Sequence, residues 1–151
     1  MINELPGFKV IGIVRNKIKQ PPGSGYAWED IVSDIVIDNS LTEALDNLDE
    51  FSHIIVLYCF NQLPSDSQVT IKIHPMGKPE LPLVGLFATR SPHRPNPIGK
   101  TTVRLLQRQG NRLRVQGLDA IDGTPVIDIK PYIPEDDSVN NARVPPWKVN
   151  H

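Results

Sequence analysis

The sequence predicts a mainly β fold, either a barrel or a strongly curved sheet. Short segments rich in β-branched residues recur along the chain, turn residues separate them, and only one stretch has helical spacing. We count about seven or eight strands and one short helix. The chain has 151 residues, of which 39% are hydrophobic and 22% charged, so we expect one soluble domain over residues 1–151.

The N-terminal third predicts two strands and the helix. Phe8 to Arg15 and Ile31 to Ile37 are short and β-branched, and the Pro/Gly loop between them, Gln20 to Gly25, is a candidate lid. Ser40 to Glu43 has the form of a capping box. Apolar residues follow at the i, i+3, i+4, i+7 spacing of a helix that ends near Asp49: Leu41, Ala44, Leu45 and Leu48.

The middle of the chain predicts three further strands. His53 to Phe60 is almost continuously apolar, which is typical of a strand buried on both faces. Val69 to Ile73 alternates and predicts a half-buried strand. Met76 to Pro82 contains prolines and is therefore a loop, after which Leu83 to Ala88 predicts another short strand.

A hairpin is the clearest local signal. Thr101 to Gln107 and Arg112 to Gly117 flank the turn residues Gln109-Gly110-Asn111. Alternation places Val103 and Leu105 on one face with Leu113 and Val115, and it places four arginines on the other: Arg104, Arg108, Arg112 and Arg114. Val126 to Ile129 is a last short strand ahead of a polar tail from about residue 137.

Several classes of site and location are disfavoured. No apolar run approaches the roughly 20 residues of a membrane span, and the first residues lack a signal-peptide pattern, so we expect a cytoplasmic protein without membrane contact. The histidines have no metal-type spacing, and we expect no metal. Cys59 is the sole cysteine and lies in an apolar run, which favours a buried thiol over a nucleophile.

The formal net charge of −1 hides a segregation of charge. Between Leu81 and Leu118 there are seven Lys or Arg residues and no acidic residue, whereas the rest of the chain has nine basic residues against all 17 acidic ones. A basic surface of this density suits a polyphosphate partner such as RNA. A solvated basic face offset by acidic neighbours is the alternative.

Two segments carry the candidate chemistry. Arg90 to Gly99 (RSPHRPNPIG) has three prolines, which stiffen a loop that presents Arg90, His93, Arg94 and Asn96. Such a preorganised loop loses little entropy on binding a ligand, although it also suits a rigid connector. Gly117 to Pro125 places Asp119 and Asp122 at a turn, where they accept hydrogen bonds from ribose hydroxyls or an ammonium, or serve the turn alone.

These segments together resemble the TsaA-like, or TrmO, family of tRNA N6-threonylcarbamoyladenosine methyltransferases. The residues similar to the family motifs occur in the same order: Phe87 to Ser91, Arg94 to Gly99, Leu118 to Pro125 and Asp128 to Tyr132. The stretches Ile11 to Arg15 and Phe51 to Phe60 match as well. The resemblance therefore spans roughly Lys9 to Pro134.

The resemblance implies a single-sheeted, antiparallel or mixed β-barrel that forms a homodimer and binds S-adenosylmethionine near the subunit interface. The implied cofactor contacts are Phe60, Asn61, Arg90, Asn96, Ile98, Lys100, Leu118, Asp119, Ala120 and Ile121. Two of them depart from the family pattern, because Asn61 stands where a histidine is usual and Lys100 where a Leu or Met is usual.

The implied reaction transfers the sulfonium methyl group to N6 of threonylcarbamoyladenosine at position 37 of tRNA. Candidates for the proton acceptor are His93, Asp119, Asp122 and Tyr132. We expect tRNA contacts from Arg94, Arg104, Arg108, Arg112, Arg114 and Lys130. Alternatives from other classes are a non-catalytic RNA-binding or regulatory barrel, and a methyltransferase that acts on a small molecule.

Overall fold

Six antiparallel strands close into a barrel in the computed structural model, which describes Leu5 and residues 7–23, 25–63 and 69–149. The strands are β1 (Gly12–Arg15), β2 (Val32–Ile37), β3 (His53–Cys59), β6 (Ile98–Gln109), β7 (Arg112–Gln116) and β8 (Pro125–Pro131). Their order is β1-β2-β7-β6-β3-β8, and β8 pairs with β1 to close the barrel. The expected mainly β, barrel fold is therefore confirmed.

The chain forms two compact units. The barrel unit comprises Met1–Gln62 and Ile98–Tyr132, and the second unit comprises Leu63–Pro97 and Ile133–His151. The second unit contains a two-stranded sheet of β4 (Lys72–Ile73) and β5 (Val84–Gly85), and the short helices α1 (Pro134–Asp137) and α2 (Pro146–Val149). The polar tail thus begins where α1 ends, and it contains the single turn of α2. Met1 to Glu4 and Pro6 of the N-terminal segment, Ser24 of the candidate lid loop and the C-terminal His151 lie outside the described residues.

Alternating apolar residues of the six strands fill the interior of the barrel unit. Among the fully buried side chains are Val14, Ile35, Ile54, Val56, Val103, Leu113, Val115 and Val126. Each inward side chain alternates with an outward one, because successive residues of a strand point to opposite faces. The predicted inner set of the hairpin, Val103 and Leu105 with Leu113 and Val115, is confirmed.

The predicted helix is a pair of 3₁₀ segments instead, Asn39–Leu45 and Leu48–Glu50. Asp38 rather than Ser40 caps the first segment, since its carboxylate accepts the Ser40 amide at 2.9 Å. The backbone bonds run from i+3 to i, as from the Leu41 amide to the Asp38 carbonyl at 2.9 Å. A seven-residue segment between two strands is too short for an α-helix to gain from propagation.

The predicted strands occur with shifted ends. β6 begins at Ile98, three residues before the predicted start, whereas β4 and β5 each keep only two residues of the predicted segments. The turn of the hairpin uses Gly110 at φ +61°, as its turn chemistry requires. None of the helices in the described part of the chain has the length and apolarity needed to cross a bilayer.

Close approach makes a glycine necessary at position 99. A Cβ atom there would lie 2.6 Å from Cζ of Tyr58 and 2.9 Å from Cζ of Phe60. Both distances are shorter than carbon atoms tolerate, and the rings belong to the packed interior and its margin. The two aromatic side chains therefore lie directly on the β6 backbone.

We predict that Gly99→Ala lowers the free energy of unfolding by about 1–3 kcal/mol, because the added methyl group overpacks the Tyr58 and Phe60 rings. Urea unfolding followed by circular dichroism measures this. Gly85→Ala is the matched control, since a Cβ at Gly85 meets no atom within 4 Å. Equal losses in the two variants would contradict the proposed close approach.

Candidate functional site

Tyr58 organises one end of the barrel unit. It pairs with Gly99 across β3 and β6, and its ring contacts the Phe60 ring edge-on with centroids 5.4 Å apart. Its hydroxyl donates to the Asp119 carbonyl oxygen at 2.8 Å and lies 2.8 Å from Oγ1 of Thr101. Tyr58 is buried, so these bonds form away from water and fix Phe60, Gly99 and Asp119 around one side chain.

Two side chains of the barrel unit bind backbone carbonyls of the Leu118–Ile121 turn, which follows β7. Tyr58 binds the carbonyl of Asp119, and Nδ2 of Asn16 donates to the carbonyl of Ala120 at 2.8 Å. Leu118 and Ala120 point into the core, whereas the Asp119 side chain is exposed. Tyr58 therefore contacts both Phe60 and the Leu118–Ile121 turn, which the family resemblance implies as cofactor contacts.

Ile98 and Lys100 belong to β6, as Gly99 does, but their side chains point away from Tyr58 and Phe60. Gly99 is buried against Tyr58, so its neighbours in β6 have the opposite orientation. Lys100 pairs with Leu57 and is exposed, and Ile98 pairs with Cys59. The backbone of Gly99, and not the side chain of Lys100, therefore faces the aromatic pair within one chain.

The two acidic residues of the turn have opposite environments. Asp119 is accessible to solvent, but neighbouring protein atoms remove part of its hydration, and this desolvation raises the pKa of its carboxyl. Asp122 is bound on both oxygens, by the Lys19 ammonium at 3.0 Å and the Asn16 amide at 3.0 Å. The Lys19 hydrogen bond, with the Asn16 amide, outweighs desolvation and lowers the Asp122 pKa.

Tyr132 lies at the other end of β3 from Phe60. Its amide donates to the His53 carbonyl at 3.1 Å, and its ring lies edge-on to the His53 imidazole. His53 begins β3 and Phe60 follows its end, so the seven strand residues separate Tyr132 from Phe60 by about 20 Å. Within one chain, Tyr132 and Phe60 therefore lie at opposite ends of β3.

The proline-rich loop of the second unit is closed by one of its own arginines. Nη1 of Arg94 donates to the Thr89 carbonyl at 2.7 Å and the Ser91 carbonyl at 3.3 Å, and the guanidinium lies 5.7 Å from the centre of the Phe87 ring. Arg90, His93 and Asn96 are exposed on this loop. The structure supports the predicted stiffness and gives Arg94 a structural task.

The arginine face of the hairpin differs from its predicted form at one position. The register shifts between Leu105 and Gln107, so Arg108 pairs with Leu113 and has the orientation of that core residue. Its guanidinium binds an Asp46 carboxylate oxygen at 2.8 Å and the Thr42 carbonyl at 3.0 Å. The prediction that Arg108 shares the exposed face with Arg104 is therefore wrong.

The other three arginines of the hairpin lie on its exposed face, as predicted. Arg104 is exposed, and Arg112 and Arg114 both bind the Asp34 carboxylate of β2, at 3.0 and 3.1 Å. Desolvation alone would raise the Asp34 pKa, but hydrogen bonds from the two guanidiniums outweigh it and lower the pKa. On β8, Lys130 and Asp128 form an ion pair at 3.0 Å, although both side chains are exposed enough that it stabilises the fold little.

Comparison with known proteins identifies the family. The family model described as the tRNA-methyltransferase O N-terminal domain matches residues 13–138. This chain belongs to that family. The matched range includes β2 to β8, the proline-rich loop, Tyr58 and the Leu118–Ile121 turn.

Individual relatives agree with the family. A probable S-adenosyl-L-methionine-binding protein of Pyrococcus abyssi is 40% identical over 91% of this chain and 73% of its own length. A tRNA (adenine(37)-N6)-methyltransferase of Mus musculus is 43% identical over 72% of this chain and 25% of its length. A crystal structure of TrmO from Pseudomonas aeruginosa matches with a TM-score of 0.72 and 32% identity over 93% of this chain. This chain spans 62% of that structure.

Sequence reasoning missed three residues of the site in this family member. Tyr58 and Asn16 bind carbonyl groups of the turn from positions distant in sequence, and Thr101 lies within hydrogen-bond distance of the Tyr58 hydroxyl. Asn16 follows β1 immediately, and a polar residue at that point was the one available signal. Tyr58 and Thr101 instead look like ordinary strand residues, since only pairing of β3 with β6 brings them together.

We predict that Tyr58→Phe loosens the Leu118–Ile121 turn and lowers the free energy of unfolding by about 1–3 kcal/mol, because the Asp119 carbonyl loses its donor. The ring still packs on Gly99, so the barrel should fold. Amide hydrogen exchange should quicken at Asp122 and Thr124, whose amides are hydrogen-bonded at the turn, and stay unchanged in β7. Tyr26→Phe, at an exposed tyrosine, is the control, and equal exchange in both variants would show that the hydroxyl does not hold the turn.

Proposed function

We propose that this protein is an S-adenosylmethionine-dependent tRNA methyltransferase that methylates N6 of the adenosine at position 37, in the form of threonylcarbamoyladenosine. The observation that carries the proposal is the cluster around Tyr58, which joins Phe60 to the Leu118–Ile121 turn within the family motifs. The names of the P. abyssi and mouse relatives support the cofactor and the tRNA base.

The chemistry of the cluster fits the cofactor. The amides of Asp119, Ala120 and Ile121 donate to no other described residue, so they suit the acceptor atoms of an adenosine. The Phe60 ring suits a sulfonium by cation–π attraction. By resemblance to the family we also propose contacts from Asn61, Arg90 and Asn96 and from the backbone of Leu118, whereas Ile98 and Lys100 point away from the Phe60 ring within one chain.

When bound, the cofactor supplies an electrophilic methyl group, and the protein aligns it with the acceptor nitrogen. Alignment contributes roughly 7 to 11 kcal/mol in favourable cases. A preorganised turn suits this task, because Tyr58 and Asn16 hold two successive carbonyls and leave little backbone freedom to lose. No group of three or more His, Cys, Asp or Glu in the described segments is placed to hold a metal ion.

Asp119 is the proton acceptor we propose among the four candidates. A base works best when its pKa lies near the working pH, and desolvation shifts the Asp119 pKa in that direction. Asp122 is shifted the other way and is occupied by Lys19 and Asn16. Tyr132 lies at the far end of β3, and His93 belongs to the loop of the second unit.

The RNA contacts we propose are Arg94, Arg104, Arg112, Arg114 and Lys130, all outside the barrel core. We further propose a homodimer with the cofactor near the subunit interface, which acts in the cytoplasm where tRNA is modified. Size-exclusion chromatography with light scattering tests the dimer.

The central experiment has two measurements on the purified chain. Equilibrium binding of labelled S-adenosylmethionine tests the cofactor, and mass spectrometry of tRNA nucleosides after incubation tests the product. We expect binding and one added methyl group on threonylcarbamoyladenosine. Absence of binding rejects a methyltransferase, binding without tRNA methylation favours a small-molecule acceptor, and tRNA binding alone favours a non-catalytic RNA-binding barrel. Methylation of tRNA that lacks the threonylcarbamoyl group would correct the substrate to plain adenosine.

We predict that Asp119→Asn lowers kcat by roughly 10²- to 10⁴-fold, because the amide cannot accept the proton. In the wild type, activity should fall as the pH drops through the raised Asp119 pKa, above the ordinary aspartate value of 3.8, since the carboxyl becomes protonated. The variant should lose this acid limb. Asp122→Asn is the control and should lower the melting temperature while it keeps the limb; an unchanged limb in Asp119→Asn would exclude Asp119 as the base.

A further inference from the structure

A groove lies at the end of β1, apart from the cluster around Tyr58. Its volume is about 440 Å³, and the residues of interest in its lining are Arg15, Asn16, Lys17, Ser33, Asp34 and Arg114. Arg15, Asp34 and Arg114 form one row across β1, β2 and β7, because Arg15 pairs with Asp34 and Asp34 pairs with Arg114. We call this feature the β1 groove.

The residues that line the β1 groove carry more positive than negative charge. Asp34 binds Arg112 and Arg114 at once, so one carboxylate faces two guanidiniums. The side chains of Arg15 and Lys17 are exposed and form no ion pair or hydrogen bond with another described residue. The lining contains three cationic residues, Arg15, Lys17 and Arg114, against the two carboxylates of Asp30 and Asp34. The surplus attracts an anion, and the fixed guanidinium forks suit phosphate oxygens.

The floor of the groove connects it to the candidate cofactor turn. Nδ2 of Asn16 donates to Oγ of buried Ser33 at 3.0 Å and to the Ala120 carbonyl at 2.8 Å. Its Oδ1 accepts the Ile18 amide at 2.9 Å, and its own amide binds Asp122. Every polar group of the Asn16 side chain is therefore used within the protein. A ligand in the groove would therefore be separated from the turn only by the Asn16 side chain.

We infer that the β1 groove binds the sugar–phosphate backbone of the RNA beside the nucleotide being methylated, with Arg15 and Lys17 as phosphate contacts. The inference rests on the proposed function for the identity of the polymer. It extends the arginine face of the hairpin, because Asp34 and Arg114 belong to both. The bound strand would thus run from the exposed arginines of β7 over β2 to the end of β1.

The test is the double variant Arg15→Ala with Lys17→Ala, assayed for tRNA binding over a salt series by fluorescence anisotropy. Loss of two phosphate contacts should lower the slope of log K against log salt by about one per contact. Affinity should fall roughly tenfold or more at moderate salt. Both side chains are exposed and unpaired, so the melting temperature should not change, and labelled S-adenosylmethionine should bind as in the wild type.

The control removes the same charge elsewhere. Lys9→Ala with Lys72→Ala alters two exposed lysines that do not line the groove, and it should leave the salt slope close to that of the wild type. An equal slope for both double variants overturns the inference. The inference is also overturned if the Arg15→Ala with Lys17→Ala variant binds an acidic peptide, such as polyglutamate, more weakly than the wild type but binds tRNA equally well.

The result is separable from that of the proposed function. If the wild type binds no S-adenosylmethionine and methylates no tRNA, the proposed function fails whatever the salt slopes are. If the wild type methylates tRNA but the groove variant keeps its slope, the function stands and the groove inference fails.

Discussion

The close approach of Tyr58 to the backbone of β6 is the constraint on which the candidate site depends. Only a glycine at position 99 leaves room for the ring. In that position the phenol reaches across the barrel end and donates to the Asp119 carbonyl. A buried hydroxyl needs a partner, so packing and hydrogen bonding specify the same arrangement. The Leu118–Ile121 turn is therefore fixed by the buried hydroxyl of Tyr58.

Environment gives neighbouring acidic residues different tasks. Asp119 and Asp122 are three positions apart, yet desolvation raises one pKa while the bonds from Lys19 and Asn16 lower the other. Asp122 ties the chain after β1 to the turn, and Asp119 is left for a ligand or a proton. Asp34 has a third task, since it holds two arginines on the barrel surface. Identical carboxylates thus differ in pKa and in hydrogen-bond partners because their surroundings differ.

The basic surface also depends on the fold. Net charge of the chain is −1, but antiparallel pairing of β1, β2 and β7 gathers Arg15, Arg112 and Arg114 around one carboxylate. A bulge in β6 removes Arg108 from that surface and uses it to bind the Asp46 carboxylate. The basic surface therefore lacks Arg108, which alternation alone would include. It contains Arg15 of β1, which lies far in sequence from the basic segment between Leu81 and Leu118.

The sequence by itself determined the β class, the hairpin with its turn at Gly110, and the family motifs, because alternation and turn chemistry are properties of neighbouring residues. The tertiary structure alone decided which strands meet, and hence that Tyr58 holds Asp119, that Asn16 holds Ala120, and that Arg108 turns inward. Those contacts join residues 61, 104 and, for Arg108 with Asp46, 62 positions apart. No local pattern encodes them, since each depends on strand order and on one shift of register.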